Sequence, residues 1–240
     1  MPFRKFLAVC FVLPFLSGCS TTNGGSLGET LGQIFSQNEL SVEEISAGLK
    51  EALKVGAGRV IDRVSQAGGY FDDPDIHIPL PGELEDVQSA LGKIGLAGML
   101  DKLEQKLNEG AEKAAPLARD LLWDAIGEMT ITDVMEIYNG PDDAATQYFR
   151  GKMEPRLKAE MRPIIEQTLN QVGAVRQFND IKARYDAIPF TPDVNADLAG
   201  YAENLALDGL FHYLAKEEAA IRNDPLKRTT DLLRKVFGAV

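Results

Sequence analysis

SVEEISAGLKEALKVGAGRVIDRV, residues 41–64, decides the fold, because it combines a helix start with a long apolar stripe. Its first four residues are a capping box, in which the Ser41 side chain and the Glu44 carboxylate each accept a hydrogen bond from the other residue's backbone. Apolar residues then recur every three or four positions at Ile45, Leu49, Leu53, Val60, Ile61 and Val64. This period predicts a helix that begins after Ser41, buries one face and ends at Gly68-Gly69.

The next segment, Tyr70 to Pro81, is the one part of the domain predicted to be non-helical. Ile76, Ile78 and Leu80 alternate with other residues at a period of two, and prolines at positions 79 and 81 exclude a regular helix. We therefore expect an extended arm that lies on the helices.

Helical periodicity returns after the arm and continues to the end of the chain. Breaks are predicted at Gly92–Gly98, Pro116, Asn139–Pro141, Pro155, Pro163, Gly173 and Ile188–Val194. A final helix is predicted to be capped by Asp224 and to end before Gly238. No strand pair or internal repeat is evident, so the predicted fold over residues 40–240 is an all-α, multi-helix bundle of about eight helices with one extended, Pro-containing arm.

The amino-terminal 18 residues have the order of a secretory signal. Two basic residues, Arg4 and Lys5, precede the apolar run Phe6–Phe15. This run has about ten residues, half of what a membrane-spanning helix needs, and Pro14 interrupts it. Residues 1–18 are therefore predicted to be a cleaved signal peptide.

The tetrad Leu16-Ser17-Gly18-Cys19 resembles the lipobox of bacterial lipoproteins. The resemblance implies lipidation of Cys19, cleavage before it, and anchoring by several acyl chains in the envelope of a Gram-negative bacterium. Ser20 after the cysteine suggests the outer membrane, with the domain facing the periplasm. Residues 19–39, rich in Thr, Gly, Ser and Asn, are predicted to be the flexible tether.

Charge and cysteine content fit this division of the chain. The formal net charge is −11, and removal of Arg4 and Lys5 with the signal would make it about −13. Such a protein is repelled by nucleic acid, so no nucleic-acid partner is predicted. The other cysteine, Cys10, lies in the signal, so no disulfide is expected.

The carboxyl-terminal half carries the motifs that identify a family. They are Asp208-Gly209-Leu210-Phe211, Ala215-Lys216-Glu217-Glu218, Ile221-Arg222, Arg228-Thr229-Thr230-Asp231-Leu232-Leu233 and Val236-Phe237-Gly238. Upstream are Leu49–Leu53, Ile78–Pro81, Asn108 with Ala111-Glu112, and Ala144-Ala145-Thr146 with Tyr148-Phe149-Arg150. Together they resemble the bacterial proteins grouped as domain of unknown function 4197, from about Leu40 to Gly238. The resemblance implies no activity and assigns no catalytic residue.

The common catalytic signatures are absent from the sequence, and no cofactor is predicted. Asp73, Asp75 and His77 would share one side of an extended segment, a spacing compatible with a cation. A solvated acidic turn around Pro74 is the preferred interpretation, so these three residues are weak candidates and no metal site is predicted.

Asp208 and His212 lie four residues apart on a long predicted helix, with Glu217 and Glu218 a turn or more beyond. A carboxylate in the apolar context of Asp208 is expected to be buried and paired with Arg222, Arg228 or Arg150. The preferred interpretation is a structural ion pair in a buried polar cluster, and proton transfer between carboxylate and imidazole is the alternative.

Two further helical patterns are interpreted as structural. Glu104, Asn108 and Glu112 recur every four residues, which is typical of a solvated polar face with lysine partners. The last helix is basic and amphipathic, and we expect it to close the bundle, although contact with anionic headgroups is an alternative.

Three functional hypotheses follow. The first is a non-enzymatic, membrane-anchored envelope lipoprotein that presents a helical interaction domain to the periplasm, with an envelope protein as its possible partner. The second is a helical carrier for a lipid or another apolar ligand. The third is a hydrolase that uses buried carboxylates such as Asp208 and Glu217.

Overall fold

The computed structural model describes residues 40–238. The predicted signal peptide 1–18, the lipidation site Cys19 and the tether 19–39 lie outside the described residues. Every statement below concerns the described part.

The described chain is built from α-helices joined by short connections. In chain order they are α1 (Val42–Val64), α2 (Glu85–Gly92), α3 (Gly98–Ala114), α4 (Ala118–Glu128), α5 (Ile131–Tyr138), α6 (Ala144–Tyr148), α7 (Glu154–Val172), α8 (Ala174–Asp186), α9 (Leu198–Asn223) and α10 (Asp231–Phe237). No β-strand occurs between residues 40 and 238, and the predicted all-α bundle is confirmed. Nor does that range contain a helix with the length and apolar character that crossing a bilayer requires.

Helix α1 begins as the sequence predicts. The Ser41 hydroxyl accepts a hydrogen bond from the Glu44 N–H at 3.1 Å, and the Ser41 N–H donates to the Glu44 carboxylate at 3.1 Å. The buried face of α1 then packs against α4, α5, α9 and α10. The helix ends at Val64 rather than at Gly68-Gly69, because the chain turns four residues earlier and Gly68 takes the left-handed conformation inside that turn.

Helix α9 joins the two sides of the bundle. It packs on α1 and also on α3 and α7, and α3 in turn packs on α7 and α8. The face of α9 toward the protein includes Ala202, Leu207, Leu210 and Phe211, all almost fully buried. Residues of α9 line both of the grooves described below.

The last helix closes the bundle. Leu233, Val236 and Phe237 are buried, and Val236 lies directly over Gly48 of α1, where an added Cβ would clash with it. The helix start differs from the prediction: Asp224 caps a short 3₁₀ turn and Thr230 caps α10, because residues 228–230 between them are not helical. Pro163 also differs from prediction, since it lies within an unbroken α7.

The arm between α1 and α2 differs in part from the prediction, since residues 70–76 form turns rather than an extended segment that would place Asp73, Asp75 and His77 on one side. Residues 65–76 form turns, residues 77–81 are extended, and Ile76 and Ile78 are buried while Pro79 is exposed. The Tyr70 hydroxyl donates to the carbonyl of Ala206 at 2.8 Å, which ties the start of the arm to α9.

The polar stripe of α3 holds the arm, contrary to the expectation of a solvated face. Asn108 is completely buried and exchanges two hydrogen bonds with the backbone of Ile78, at 2.9 and 2.8 Å. The Glu112 carboxylate accepts from the N–H groups of Tyr70 and Phe71 at 3.1 and 3.3 Å. The four-residue spacing does not reveal this role, because the hydrogen-bond partners of these side chains are backbone groups of the arm rather than water.

Candidate functional site

A groove of about 650 Å³ lies where the arm, α6 and α9 meet. Asp75 and His77 of the arm line it, and so do Asp208, His212 and Lys216 of α9. The arm residues and the Asp208–His212 pair, two separate candidates in the sequence, therefore border one site. We call this site the histidine groove.

Ion pairs line the histidine groove. Asp75 Oδ2 lies 2.8 Å from Lys216 Nζ and 3.6 Å from His212 Nε2. The hydrogen bond from Lys216 is the main reason that the pKa of Asp75 is below its usual range. Asp208 Oδ1 lies 3.1 Å from Arg150 Nη2, and the Arg150 guanidinium also covers the Phe211 ring at 5.0 Å. Each carboxylate of these pairs thus has a cation beside it.

His212 has unused hydrogen-bonding capacity. Its Nε2 atom is buried and has no hydrogen-bond partner, since the Asp75 oxygen at 3.6 Å is too distant. His77, by contrast, bonds through Nε2 to Glu104 and through Nδ1 to the Phe71 carbonyl, both at 2.8 Å. His77 therefore fixes the arm to α3, whereas His212 can still accept a partner.

Asp73, the third weak metal candidate, does not line the histidine groove. Its Oδ2 accepts from the Tyr213 hydroxyl at 2.6 Å and from Arg63 at 3.1 Å. Partial burial opposes ionisation, but these hydrogen bonds outweigh it and lower the pKa of Asp73. No group of three potential metal ligands converges among the described residues.

A π-helical turn, Phe149–Met153, shapes the wall of the groove opposite α9. It joins α6 to α7 and carries Arg150. Such turns are rare and recur at functional sites, because the extra residue in the turn redirects a side chain.

Residues 39–238 match the model of the family described as "Protein of unknown function (DUF4197)". The chain belongs to this family. No curated protein and no solved structure is similar to it.

Motifs that carry the DUF4197 resemblance meet at the histidine groove. Asp208 lines it, and Gly209 lets the arm approach α9, since an added Cβ would lie 2.9 Å from Tyr70 Cε1 and 3.0 Å from Ile76 Cβ. The motif at residues 144–150 supplies Thr146 and Arg150. The glycine is therefore required by close packing between the arm and α9.

The five residues proposed as one buried polar cluster are distributed along the DUF4197 domain. Asp208 and His212 line the groove, and the Asp208 side chain is 56% exposed rather than buried. Glu217 pairs with Arg59 at 2.7 Å outside the groove. Arg228 donates to the carbonyls of Ile221 and Arg222 at the end of α9. The expected partner Arg150 does pair with Asp208, across the groove rather than in the core.

Glu218, next to Glu217 in the sequence, is the buried carboxylate of this region, and the sequence predicts neither its burial nor its partners. It accepts hydrogen bonds from the N–H groups of Ala145 and Thr146 at 2.9 and 3.1 Å, at the amino-terminal end of α6. Arg222 Nη2 lies 3.1 Å from Glu218 and donates to the carbonyl of Ile137 at 2.8 Å, at the end of α5. Desolvation raises the pKa of Glu218, although these hydrogen bonds oppose the rise.

We call Glu218 and Arg222 the clamp. A carboxylate at a helix amino terminus and a guanidinium at a helix carboxyl terminus both complement the helix dipole. The clamp therefore fixes the connection between α5 and α6, and with it the wall that carries Arg150. Local sequence patterns do not indicate the contact between the clamp and α6, because more than 70 residues separate Glu218 from Ala145 and Thr146.

Proposed function

We propose that this DUF4197 protein is a lipid-anchored, non-enzymatic envelope protein whose helical domain binds a partner protein in the periplasm through the histidine groove. The observation that carries the proposal is the groove itself. It is open, it is lined by paired charges of both signs, and its walls are held by fixed hydrogen bonds. Such a surface suits a polar polypeptide segment, because complementary charges give specificity and orientation.

Binding explains the groove better than hydrolysis does. Asp208 lines the groove with Arg150 beside it, while Glu217 pairs with Arg59 elsewhere. Acid–base hydrolysis by two carboxylates needs both at one substrate, with environments that separate their pKa values. Asp208 and Glu217 do not share a site in this way.

The carrier alternative gains no support from the interior of the described domain. An apolar cavity beside the clamp, lined by Leu49, Phe149 and Phe237 among others, has a volume of about 30 Å³. That volume accommodates about one or two water molecules, not an acyl chain. Native mass spectrometry of the purified protein should accordingly show no co-purified lipid.

The anchor is tested by replacing each cysteine in turn. Cys19→Ala should move the protein from the membrane fraction to the soluble periplasmic fraction, because the lipidation site is lost. Cys10→Ala is the matched control, since it lies in the predicted signal and should leave the protein in the membrane fraction. Membrane retention of a Cys19→Ala protein whose signal has been cleaved would refute the anchor.

Site-specific crosslinking tests the groove. A photoreactive residue replaces Gln147, which is exposed and lines the groove, or Gln167, which is exposed on α7 and does not line it. Irradiation of living cells should give a discrete adduct from position 147 and none from position 167. Equal adducts from both positions, or none from position 147, would contradict the proposal.

A further inference from the structure

A second groove, of about 620 Å³, lies between the end of the arm, α7 and the first turns of α9. Glu203 of α9 lines it together with Glu83, Lys158, Arg162 and Tyr201. We call it the Glu203 groove. None of these residues lines the histidine groove.

Glu203 is a buried carboxylate that lacks hydrogen bonds. Its side chain is only 7% exposed, and the nearest cation, Arg162 Nη1, lies 3.6 Å away. Within the described residues it accepts no hydrogen bond. Burial raises the pKa of Glu203, and the charge of Arg162 only partly opposes this rise. Because Glu203 lines the groove, a donor brought by a ligand can reach its carboxylate.

The cations of the groove are already engaged by other acids. Arg162 bonds through Nε to Glu166 and through Nη2 to Asp197, both at 2.8 Å. Lys158 pairs with Glu154 at 2.7 Å. Arg162 could move closer to Glu203 only by weakening the pairs that it already makes.

The fold keeps Arg162 in this position. Asp197 caps α9 by accepting from the Gly200 N–H at 3.0 Å, and it binds Arg162 at the same time. Gly200 leaves the space for this pair, since an added Cβ would lie 2.5 Å from Asp197 Oδ2 and 2.6 Å from Arg162 Nη1. The groove is thus a built site rather than a chance gathering of side chains.

The groove has free acceptors near Glu203, and Arg162 Nη1 and Lys158 also keep N–H groups without a hydrogen-bond partner among the described residues. Asn204 donates its amide to the Gly200 carbonyl at 2.8 Å, which leaves its Oδ1 available, and the Tyr201 hydroxyl donates to the Leu80 carbonyl at 3.3 Å. Glu83 makes no ion pair with another described residue. A ligand that brings donors and positive charge would satisfy the Glu203 carboxylate, which accepts no hydrogen bond from the described residues around it.

We infer that the Glu203 groove binds a primary ammonium group, with the Glu203 carboxylate as the anion that accepts its hydrogen bonds. An ammonium carries three donors and one charge, which match Glu203 and the neighbouring oxygen of Asn204. The group belongs either to a small aliphatic amine or to a lysine side chain of a partner protein. The inference does not depend on the histidine groove.

Isothermal titration of the full-length protein, purified in detergent micelles, tests the inference. The probes are 1,4-diaminobutane, an acetylated and amidated Gly-Lys-Gly peptide, and the neutral 1,4-butanediol. At least one amine should bind saturably, whereas the diol should not. The tighter of the two amines then identifies the source of the ammonium group. Absence of saturable binding by both amines would overturn the inference.

Variants assign the binding to Glu203. Glu203→Gln keeps the shape of the side chain and should weaken amine binding by at least about tenfold, since it removes the charge. Glu136→Gln, an exposed acid on α5, is the matched control and should bind as the wild type does. Asn204→Asp should tighten binding, which provides a gain of function that misfolding cannot imitate. Unchanged affinity in Glu203→Gln would refute the assignment.

Discussion

The carboxamide of Asn108 pairs with both backbone groups of Ile78. The Ile78 N–H donates to Asn108 Oδ1 at 2.9 Å, and Asn108 Nδ2 donates to the Ile78 carbonyl at 2.8 Å. One helical side chain thus gives an extended segment the two hydrogen bonds that a neighbouring strand would give it. This pairing positions the arm, and the arm forms one wall of the histidine groove.

Replacing Asn108 should therefore release the arm. Asn108→Leu leaves the N–H and the carbonyl of Ile78 buried without partners, and a cost of about 2–4 kcal/mol is expected in the free energy of unfolding. Urea denaturation measures it. Glu109→Gln, at the exposed neighbouring position, is the control and should change stability by less than about 0.5 kcal/mol. Equal stability of Asn108→Leu and wild type would contradict the role of Asn108.

The clamp should be among the most sensitive sites in the domain. The Arg222 side chain is only 10% exposed, and Arg222→Met leaves the Glu218 charge buried without its cation. We expect a loss of about 3–5 kcal/mol, as for other buried ion pairs that lose one member. Arg234→Met removes an exposed pair with Asp231 and should cost less than about 1 kcal/mol. Similar losses in the two variants, measured by urea denaturation, would show that burial of the clamp does not matter.

Two glycines of α1 should respond in opposite directions to alanine. Gly48→Ala places a methyl group against Val236 and should weaken the packing of α10. Gly58 has no neighbour within 4 Å of an added Cβ, so Gly58→Ala should stabilise the helix by about 0.5–1 kcal/mol. Thermal unfolding of both variants measures the difference. A stabilising Gly48→Ala would mean that α10 does not close the bundle as described.

Acid should destabilise the domain partly through Asp133. The Lys152 ammonium, 2.6 Å away, and the Thr130 hydroxyl and N–H hold the pKa of Asp133 well below its usual range. A lowered folded-state pKa means that the stabilisation is present above the unfolded value of 3.8 and is lost as the pH falls below it.

Asp133→Asn should accordingly lose less stability between pH 7 and pH 3 than the wild type loses. Urea midpoints at the two pH values measure this difference. Asp231→Asn is the control, because the Asp231 side chain is 99% exposed, and it should keep the acid sensitivity of the wild type. The prediction is wrong if Asp133→Asn and the wild type lose the same stability.

Local sequence patterns predict most of the helices. The features that they do not predict depend on contacts between residues that are far apart in the sequence. The capping box at Ser41 and the period of α1 need only neighbouring residues, so both were predictable. The roles of Asn108 and Glu218 were not, because each depends on a segment that is distant in the sequence. A polar stripe on a helix looks the same whether water or a backbone segment satisfies it.

The candidate site was predictable in its parts. The sequence singles out four residues of the histidine groove: Asp75, His77, Asp208 and His212. It does not show that they share one groove, because that depends on the arm lying across α9. No sequence pattern predicts the burial of Glu203, since an isolated acid in a helix is ordinarily exposed. Its burial results from the packing of α9 against α7.

The central claim is that the histidine groove is a binding surface, and exchanging one of its ion pairs tests it most directly. The double variant Arg150→Asp with Asp208→Arg keeps an ion pair across the groove but reverses the charges that a partner meets. Both side chains are about half exposed, so the fold should tolerate the exchange, which a thermal unfolding curve verifies.

The measurement is the yield of the photocrosslinked adduct from position 147, in cells with and without this exchange. We expect a drop of at least about tenfold in the folded double variant, since like charges placed opposite each other in an interface cost several kcal/mol. An unchanged yield from a normally folded double variant would contradict it.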